Sequence, residues 1–220
     1  MIIDLGLIEY EDAYRVQREL VARRKLNEIG DTLILAEHRP VFTIGRAGSR
    51  ENLLVDERLL AERGIKVLCV DRGGDITFHG PGQLIAYPVI DLASKFADLH
   101  RYLRRLEDAV IEFLGKYSVP AVRSNGKTGV WVGGRKIASI GVGAANWITY
   151  HGLSINVNVD LGFFSMIHPC GFKNVEMESL ARILGKSVDM DEAKRSLVSS
   201  FNGIFDFGDV RPRQRYSATL

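Results

Sequence analysis

From about Glu9 to Asn27, Tyr10, Ala13, Tyr14, Gln17, Leu20 and Val21 recur at helical spacing with charges on the opposite face, and Gly30 ends the run. Two β-rich stretches follow, Thr32 to His38 and Val41 to Gly45, separated by Arg39 and by Pro40, which interrupts any shared ladder. A short helix near Asp56 to Arg63 is stopped by Gly64. The strand IKVLCV comes next, and Cys69 within it has the setting of a buried small hydrophobe. The strongest helical stripe is Leu99, Leu103, Leu106, Val110, Phe113 and Tyr117, set against Arg101, Arg104, Arg105 and Glu112. Gly133 and Gly134 join two β-rich runs, GVWV and RKIASIGVG, as a hairpin. Leu153, Ile155, Val157 and Val159 then alternate with Ser154, Asn156, Asn158 and Asp160, which predicts a strand with one core face and one polar face. Helices are expected over Glu178 to Leu184 and from about Asp191 to Phe205. Strands clustered between terminal and central helices, without βαβ alternation, predict an α+β single domain of mixed or antiparallel sheets covered by helices. Residues 207–220 read as a C-terminal tail.

Composition narrows the class without naming a function. The chain has 220 residues, 46% hydrophobic and 25% charged, as an ordinary globular core requires. A formal net charge of +2 leaves no footprint for nucleic acid, and the basic cluster Arg211 to Arg215 is a solvated tail or a dock for an acidic protein. No apolar run approaches the roughly 18 to 20 residues of a membrane span, so a cytoplasmic protein without membrane attachment is expected. Two cysteines, Cys69 and Cys170, with no CxxC spacing suit a reducing compartment. No HxH or HExxH occurs, and no metal is expected.

Three places could carry chemistry. Asp71 to Gln83, DRGGDITFHGPGQ, has four glycines and one proline but fits neither a phosphate-binding P-loop nor a dinucleotide fingerprint. Its bare backbone at Gly73, Gly74, Gly80 and Gly82 would let a ligand lie against the peptide groups. Arg72 could bind an anion or cap a carbonyl, and His79 stands at the far end. Lys136 opens an otherwise apolar strand after the glycine turn; it is either a solvated edge residue or a charge aimed at a partner. Cys170 lies between Pro169 and Gly171, a bent setting that presents a side chain. A free thiol near pKa 8.5 is only about 3% thiolate at pH 7, and a neighbouring ammonium raises that fraction. His38, His79, His151 and His168 all lie near glycine or proline.

Taken in order, RGGDITFHGPGQLIAYPVIDL, GVWVGGRKIASIGV, TYHGLSINVNVDL and IHPCG resemble the blocks of the lipoyl(octanoyl) transferase family, octanoyl-acyl carrier protein:protein N-octanoyltransferases. The resemblance spans about His38 to Leu180. It implies the catalytic fold of biotin and lipoate protein ligases, and an acyltransferase that moves an octanoyl or lipoyl group from acyl carrier protein to a cysteine and then to a lysine of a lipoyl domain. The acceptors it implies are acyltransferase subunits of 2-oxoacid dehydrogenases and the glycine cleavage H protein. No cofactor, ATP or metal is implied, since phosphopantetheine arrives on the carrier. By the same resemblance Cys170 is the thioester nucleophile and Lys136 tunes it and exchanges protons. Substrate would be lined by Arg72, Gly73, Gly74, Asp75, Ile76, Thr77, Phe78 and His79, then by Ser139, Ile140 and Gly141, and by Gly152, Leu153 and Ser154. His151 and His38 are supporting residues. Phe78, Ile140 and Leu153 would wall a slot for the acyl chain. Phe78 stands where the family commonly has tyrosine, LSIN departs from the usual block, and His168 falls at a variable position and receives no role. Alternatives are an ATP-dependent lipoate or biotin ligase on the same fold, or a non-catalytic module that binds lipoyl domains or carriers.

Overall fold

The computed structural model describes residues 1–168, 175–205 and 207. Cys170 and the cluster Arg211 to Arg215 lie outside the described residues. Among the described residues ten strands form two sheets. The larger has the order β1 (Ile2–Ile8), β2 (Thr32–His38), β6 (Gln83–Val89), β10 (Ile148–Asn156), β9 (Arg135–Ala145), β8 (Lys127–Val132) and β7 (Val122–Ser124). The β1–β2 pair is parallel and the others are antiparallel. The smaller sheet places β3 (Val41–Ile44) between β4 (Lys66–Cys69) and β5 (Ile76–His79). Pro40 falls where the chain leaves one sheet for the other. It therefore divides two ladders instead of breaking one.

Helices cover both faces of the large sheet. Along β2, Leu33 and Leu35 pack with α3 (Leu99–Gly115) and α5 (Met190–Phe205), whereas Ile34 and Ala36 pack with α1 (Tyr10–Lys25). A third cluster joins the small sheet to residues 161–167 through Phe42, Ile76, Phe78 and Phe164. The short helices α2 (Glu57–Glu62) and α4 (Leu180–Leu184) are each capped by a side chain, Asp56 accepting from the Arg58 amide and Ser179 from the Arg182 amide. Among the described residues no helix is long and apolar enough to cross a membrane.

Several expectations need correction. Ile2–Ile8 is a strand that pattern reading passed over, because both its neighbours, α1 and β2, complete its burial. Cys69 is exposed, since β4 is the edge of the small sheet and turns that residue outward. All nine residues of β10 are buried, so its polar side is not a solvent face. Asn156 there receives the Gln83 amide at 2.9 Å and donates to the Glu178 carbonyl at 3.0 Å, which satisfies it internally. On α3 the buried stripe runs through Tyr102, Leu106, Val110 and Phe113, while Leu99 at the first turn is exposed.

Candidate active site

The glycine-rich segment before β5 is clamped between the end of β3 and the middle of β9. Its carbonyls at Arg72, Gly74 and Asp75 accept from the amides of Arg46, Ala47 and Gly45, and the Gly73 amide donates to the Val142 carbonyl at 2.8 Å. This crossing requires glycine at position 141, where a Cβ would stand 2.7 Å from the Gly73 carbonyl oxygen and 3.1 Å from Arg72 Cδ. Arg72 is nearly buried and its guanidinium donates to the Thr43 carbonyl at 2.7 Å, to Thr43 Oγ1 at 2.9 Å and to the Gly73 carbonyl at 3.0 Å. Of the two roles open in the sequence, capping carbonyls is the one the geometry shows. Asp75 likewise faces inward on the protein: its carboxylate accepts from the amides of Ser49 and Ile76 and from Asn52 Nδ2 at 2.6 Å.

Beneath this segment lies a cavity of about 50 Å³, walled by Arg72, Gly74, Asp75, Ile76, Thr77 and His79 on one side and by Ser139, Ile140, Gly141, His151, Gly152, Leu153 and Ser154 on the other. A second cavity of about 330 Å³ shares Gly74, Asp75, Ile140 and Gly141 with its lining, and Gly73 and Lys136 border that second space. Phe78 borders neither. Its ring is stacked on Phe163 at 4.4 Å and tilted against Phe42 at 5.2 Å in the core of the small sheet, because alternation along β5 turns it away from Thr77 and His79. His38 is fully buried behind the wall, where its Nε2 meets the Tyr87 hydroxyl at 2.7 Å and its ring packs against those of Tyr10 and His79. His168 lies elsewhere, its amide donating to the Asn52 carbonyl.

Tyr10 and Tyr87 complete the first cavity, and neither was singled out in the sequence. Each hydroxyl faces a histidine whose other nitrogen meets an acceptor. His38 Nδ1 donates to the Ile8 carbonyl at 3.1 Å, so Nε2 accepts from Tyr87. His151 Nε2 donates to Asp71 Oδ1 at 2.8 Å, so Nδ1, 3.3 Å from the Tyr10 hydroxyl, accepts from it. His79 Nδ1 donates to Gln83 Oε1 at 2.7 Å, and the Gln83 amide is fixed by Phe78 O and Asn156.

Burial is the leading cause of the altered titration here. It lowers His38 to about 4. It takes His79 well below the usual imidazole value, helped by the fields of His38 and Arg72. His151 is also lowered by burial, although Asp71 opposes the shift. Burial raises Tyr10 and Tyr87, so all three rings and both phenols are neutral at pH 7. Burial also pushes Asp71 upward, but hydrogen bonds from His151, Tyr150 and Tyr14 outweigh it and hold the carboxyl below the usual range.

Lys136 is only 3% exposed, not a solvated edge. Its Nζ stands 5.5 Å from the centroid of the Trp131 ring. Its main chain forms a parallel bridge to Met177, with the Lys136 amide donating to the Glu176 carbonyl and the Glu178 amide to the Lys136 carbonyl, each at 2.8 Å.

A family model described as the lipoyl protein ligase A/B catalytic domain matches residues 9–202. The chain belongs to that family. An octanoyltransferase from Geobacter metallireducens is 46% identical over 206 residues, covering 94% of this chain and 93% of the relative. Among solved structures, a lipoate-protein ligase A bound with ATP superposes with a TM-score of 0.72 at 18% identity, covering 93% of this chain and 85% of that one. A biotin protein ligase from Aquifex aeolicus gives 0.53 at 15%, covering 93% and 68%. The lipoyl protein ligase A/B family thus accounts for the α+β architecture expected from the motifs, and the octanoyltransferase relatives identify the chain as an acyltransferase. Within that family architecture the first cavity is bounded by the glycine segment, β9, β10 and α1. The α1 contribution, Tyr10, escaped the sequence reading because it looked like one more apolar position of an amphipathic helix.

Proposed function

We propose that the protein takes an octanoyl group from acyl carrier protein onto Cys170 as a thioester and passes it to a lysine ε-amine of a lipoyl domain. Lipoyl domains of 2-oxoacid dehydrogenase acyltransferase subunits and the glycine cleavage H protein are the proposed acceptors, and the cytoplasm the proposed setting. The observation that carries the reading is the position of Lys136, buried at the border of the larger cavity. The described chain is tied down on both sides of Cys170. Before it, the Leu54 amide donates to the Met166 carbonyl, and the His168 amide to the carbonyl of Asn52, whose side chain holds Asp75. After it, residues 176–178 bond directly to Lys136.

In this reading the ammonium of Lys136 favours the thiolate that attacks the donor thioester, and Lys136 exchanges protons as each thiol leaves. Exchange between thioesters is nearly balanced and amide formation is downhill, so neither nucleotide nor metal has a step to drive. Ile140 and Leu153 supply apolar wall to the acyl chain, and Gly73, Gly74, Gly141 and Gly152 let it lie against backbone.

Incubation with octanoyl-acyl carrier protein without ATP, followed by intact-mass analysis, tests this. A hydroxylamine-labile octanoyl adduct should appear on Cys170 and be absent from Cys170→Ala. Labelling that persists in that variant removes the covalent step. Transfer that proceeds only with ATP returns the chain to the adenylating ligases.

A further inference from the structure

Six hydrogen bonds join Arg72 to Lys136 in one unbroken line through the interior. Arg72 Nη2 donates to Thr43 Oγ1 at 2.9 Å, and that hydroxyl meets His79 Nε2 at 3.4 Å. His79 Nδ1 donates to Gln83 Oε1 at 2.7 Å, and Gln83 Nε2 donates to Asn156 Oδ1 at 2.9 Å. Asn156 Nδ2 donates to the Glu178 carbonyl at 3.0 Å, and the Glu178 amide donates to the Lys136 carbonyl at 2.8 Å. The line passes from β3 and β5 of the small sheet through β6 and β10 to β9. Its direction is fixed by groups that have no choice. A carbonyl only accepts, so the Asn156 nitrogen faces Glu178 and its oxygen faces Gln83. Gln83 must then present its nitrogen, which also donates to the Phe78 carbonyl at 3.2 Å, and its oxygen is left to accept from His79. At the other end a guanidinium only donates, so Thr43 accepts from Arg72 and turns its own hydrogen to His79 Nε2.

We propose that Gln83 and Asn156 are positioning residues for the transfer: through this line they hold Lys136, and the residues 176–178 that follow Cys170 in the chain, in register with the cavity wall at Arg72 and His79. The proposal rests on the acyl-transfer reading above. Neither side chain lines either cavity, and each is 1% exposed. Two apolar side chains of the same size would pack there without the desolvation that two amides incur, so packing alone does not account for them. What the amides add is a fixed length and direction between the sheets, which non-directional apolar contacts do not supply. That matters here because Arg72 and His79 are anchored in the small sheet and Lys136 in the large one. A misplacement of about 1 Å between reacting groups can cost about a hundredfold in rate.

Both ends of the line are clamped. At one, the Arg72 guanidinium also donates to the Thr43 and Gly73 carbonyls. At the other, the Lys136 amide donates to the Glu176 carbonyl at 2.8 Å, and the Glu178 carboxylate accepts from the Ser179 amide at 3.0 Å and from Arg182 Nε at 2.7 Å. A shift at Asn156 is therefore passed to Glu178 and on to Lys136. Because every donor along the line points the same way, the bonds also polarise one another, and cutting any one weakens its neighbours.

The test reads position apart from stability. Gln83→Met and Asn156→Leu each keep the volume and cut the line. In a Cys69→Ser background, alkylation of Cys170 by iodoacetamide is followed from about pH 5 to 9, with Lys136→Met as the reference. The profile of each variant should move from that of wild type toward that of Lys136→Met, and kcat for octanoyl transfer should fall about tenfold with the donor KM changed less than about twofold. The double variant should be no slower than the slower single, since a line cut once is already cut. Wild-type profiles and turnover in variants that urea unfolding shows to be folded, or losses that multiply in the double variant, overturn the positioning role and leave acyl transfer standing. A Lys136→Met profile identical to that of wild type, or a wild type that forms no octanoyl adduct on Cys170, overturns the acyl-transfer reading and this inference with it. Thr43→Val removes one hydroxyl from the line and almost no volume, so its profile, shifted or unshifted, decides the matter if an amide replacement folds poorly.

Discussion

The side chain of Lys136 lies across Gly129. A Cβ on Gly129 would stand 2.7 Å from Lys136 Cε, 3.3 Å from its Nζ and 2.7 Å from the Ala138 carbonyl oxygen, and the glycine has a φ of +133° that other residues rarely adopt. Gly129→Ala should therefore move the ammonium from its seat and strain β8 together. The expected result is a loss of transfer activity of about tenfold or more, with a stability cost of about 1–3 kcal/mol from overpacking. Steady-state kinetics with an urea titration checks both. Unchanged turnover would show that the position of Lys136 is not critical.

Glu107 supports the same glycine from below. Its side chain is fully buried on α3, where it accepts from the Gly129 amide at 3.1 Å and pairs with Arg104 at 2.7 Å and Arg123 at 3.0 Å. Both arginines are substantially exposed, so their Coulombic share is screened and the buried amide bond matters more. Glu107→Gln preserves shape but removes the charge, and should destabilise by about 2 kcal/mol, the range of a hydrogen bond to a charged group. Equilibrium unfolding at low and at high salt gives the answer. A cost that vanishes entirely in high salt would mean that surface attraction, not the buried bond, holds Gly129.

Phe78 belongs to the small sheet's core, packed among Phe42, Phe163 and Phe164. Phe78→Ala should cost about 3–5 kcal/mol, as for other buried aromatic truncations, while leaving the enzyme's preference among acyl chain lengths unchanged. Thermal melts and a series of acyl donors measure the two effects separately. A shifted chain-length preference would return Phe78 to the wall of the slot.

What the chain disclosed depended on how local the signal was. Elements whose burial shows as a period within the chain, such as α1, β2, α5 and the Gly133-Gly134 hairpin, were legible within a few residues of their ends. The same reasoning failed for β10, whose polar alternation faces Gln83 and Glu178 rather than water, since alternation records chemistry and not what covers it. At the site, Arg72, His79 and Lys136 were legible because charged residues beside glycines are conspicuous. Tyr10 and Tyr87 were not, because a tyrosine in an apolar stripe carries no sign that its hydroxyl meets a histidine far away in sequence. Asp71 was read only as the start of a loop. Its three donors come from α1 and β10, and nothing near it in the chain announces them.

The buried histidines make stability fall on mild acidification. His38 is 0% exposed, with both ring nitrogens bonded, and burial lowers it to about 4. Unfolded, the same ring titrates near pH 6.5, so between about 6.5 and 4 the unfolded chain holds a proton that the folded one refuses. Stability from this group is thus complete above about pH 6.5 and declines as pH drops to about 4, by roughly 3 kcal/mol in all. His79 and His151, also lowered by burial, act in the same direction. Asp71 is held below the usual carboxylate range, so its contribution is lost only at still lower pH. Urea unfolding from pH 7.5 down to 4.5 should show the decline, and His38→Gln should make it shallower whatever it does to stability at pH 7.5. A wild-type profile flat over that interval would mean that the imidazole is protonated without loss in the folded protein, and that Tyr87 does not donate to it.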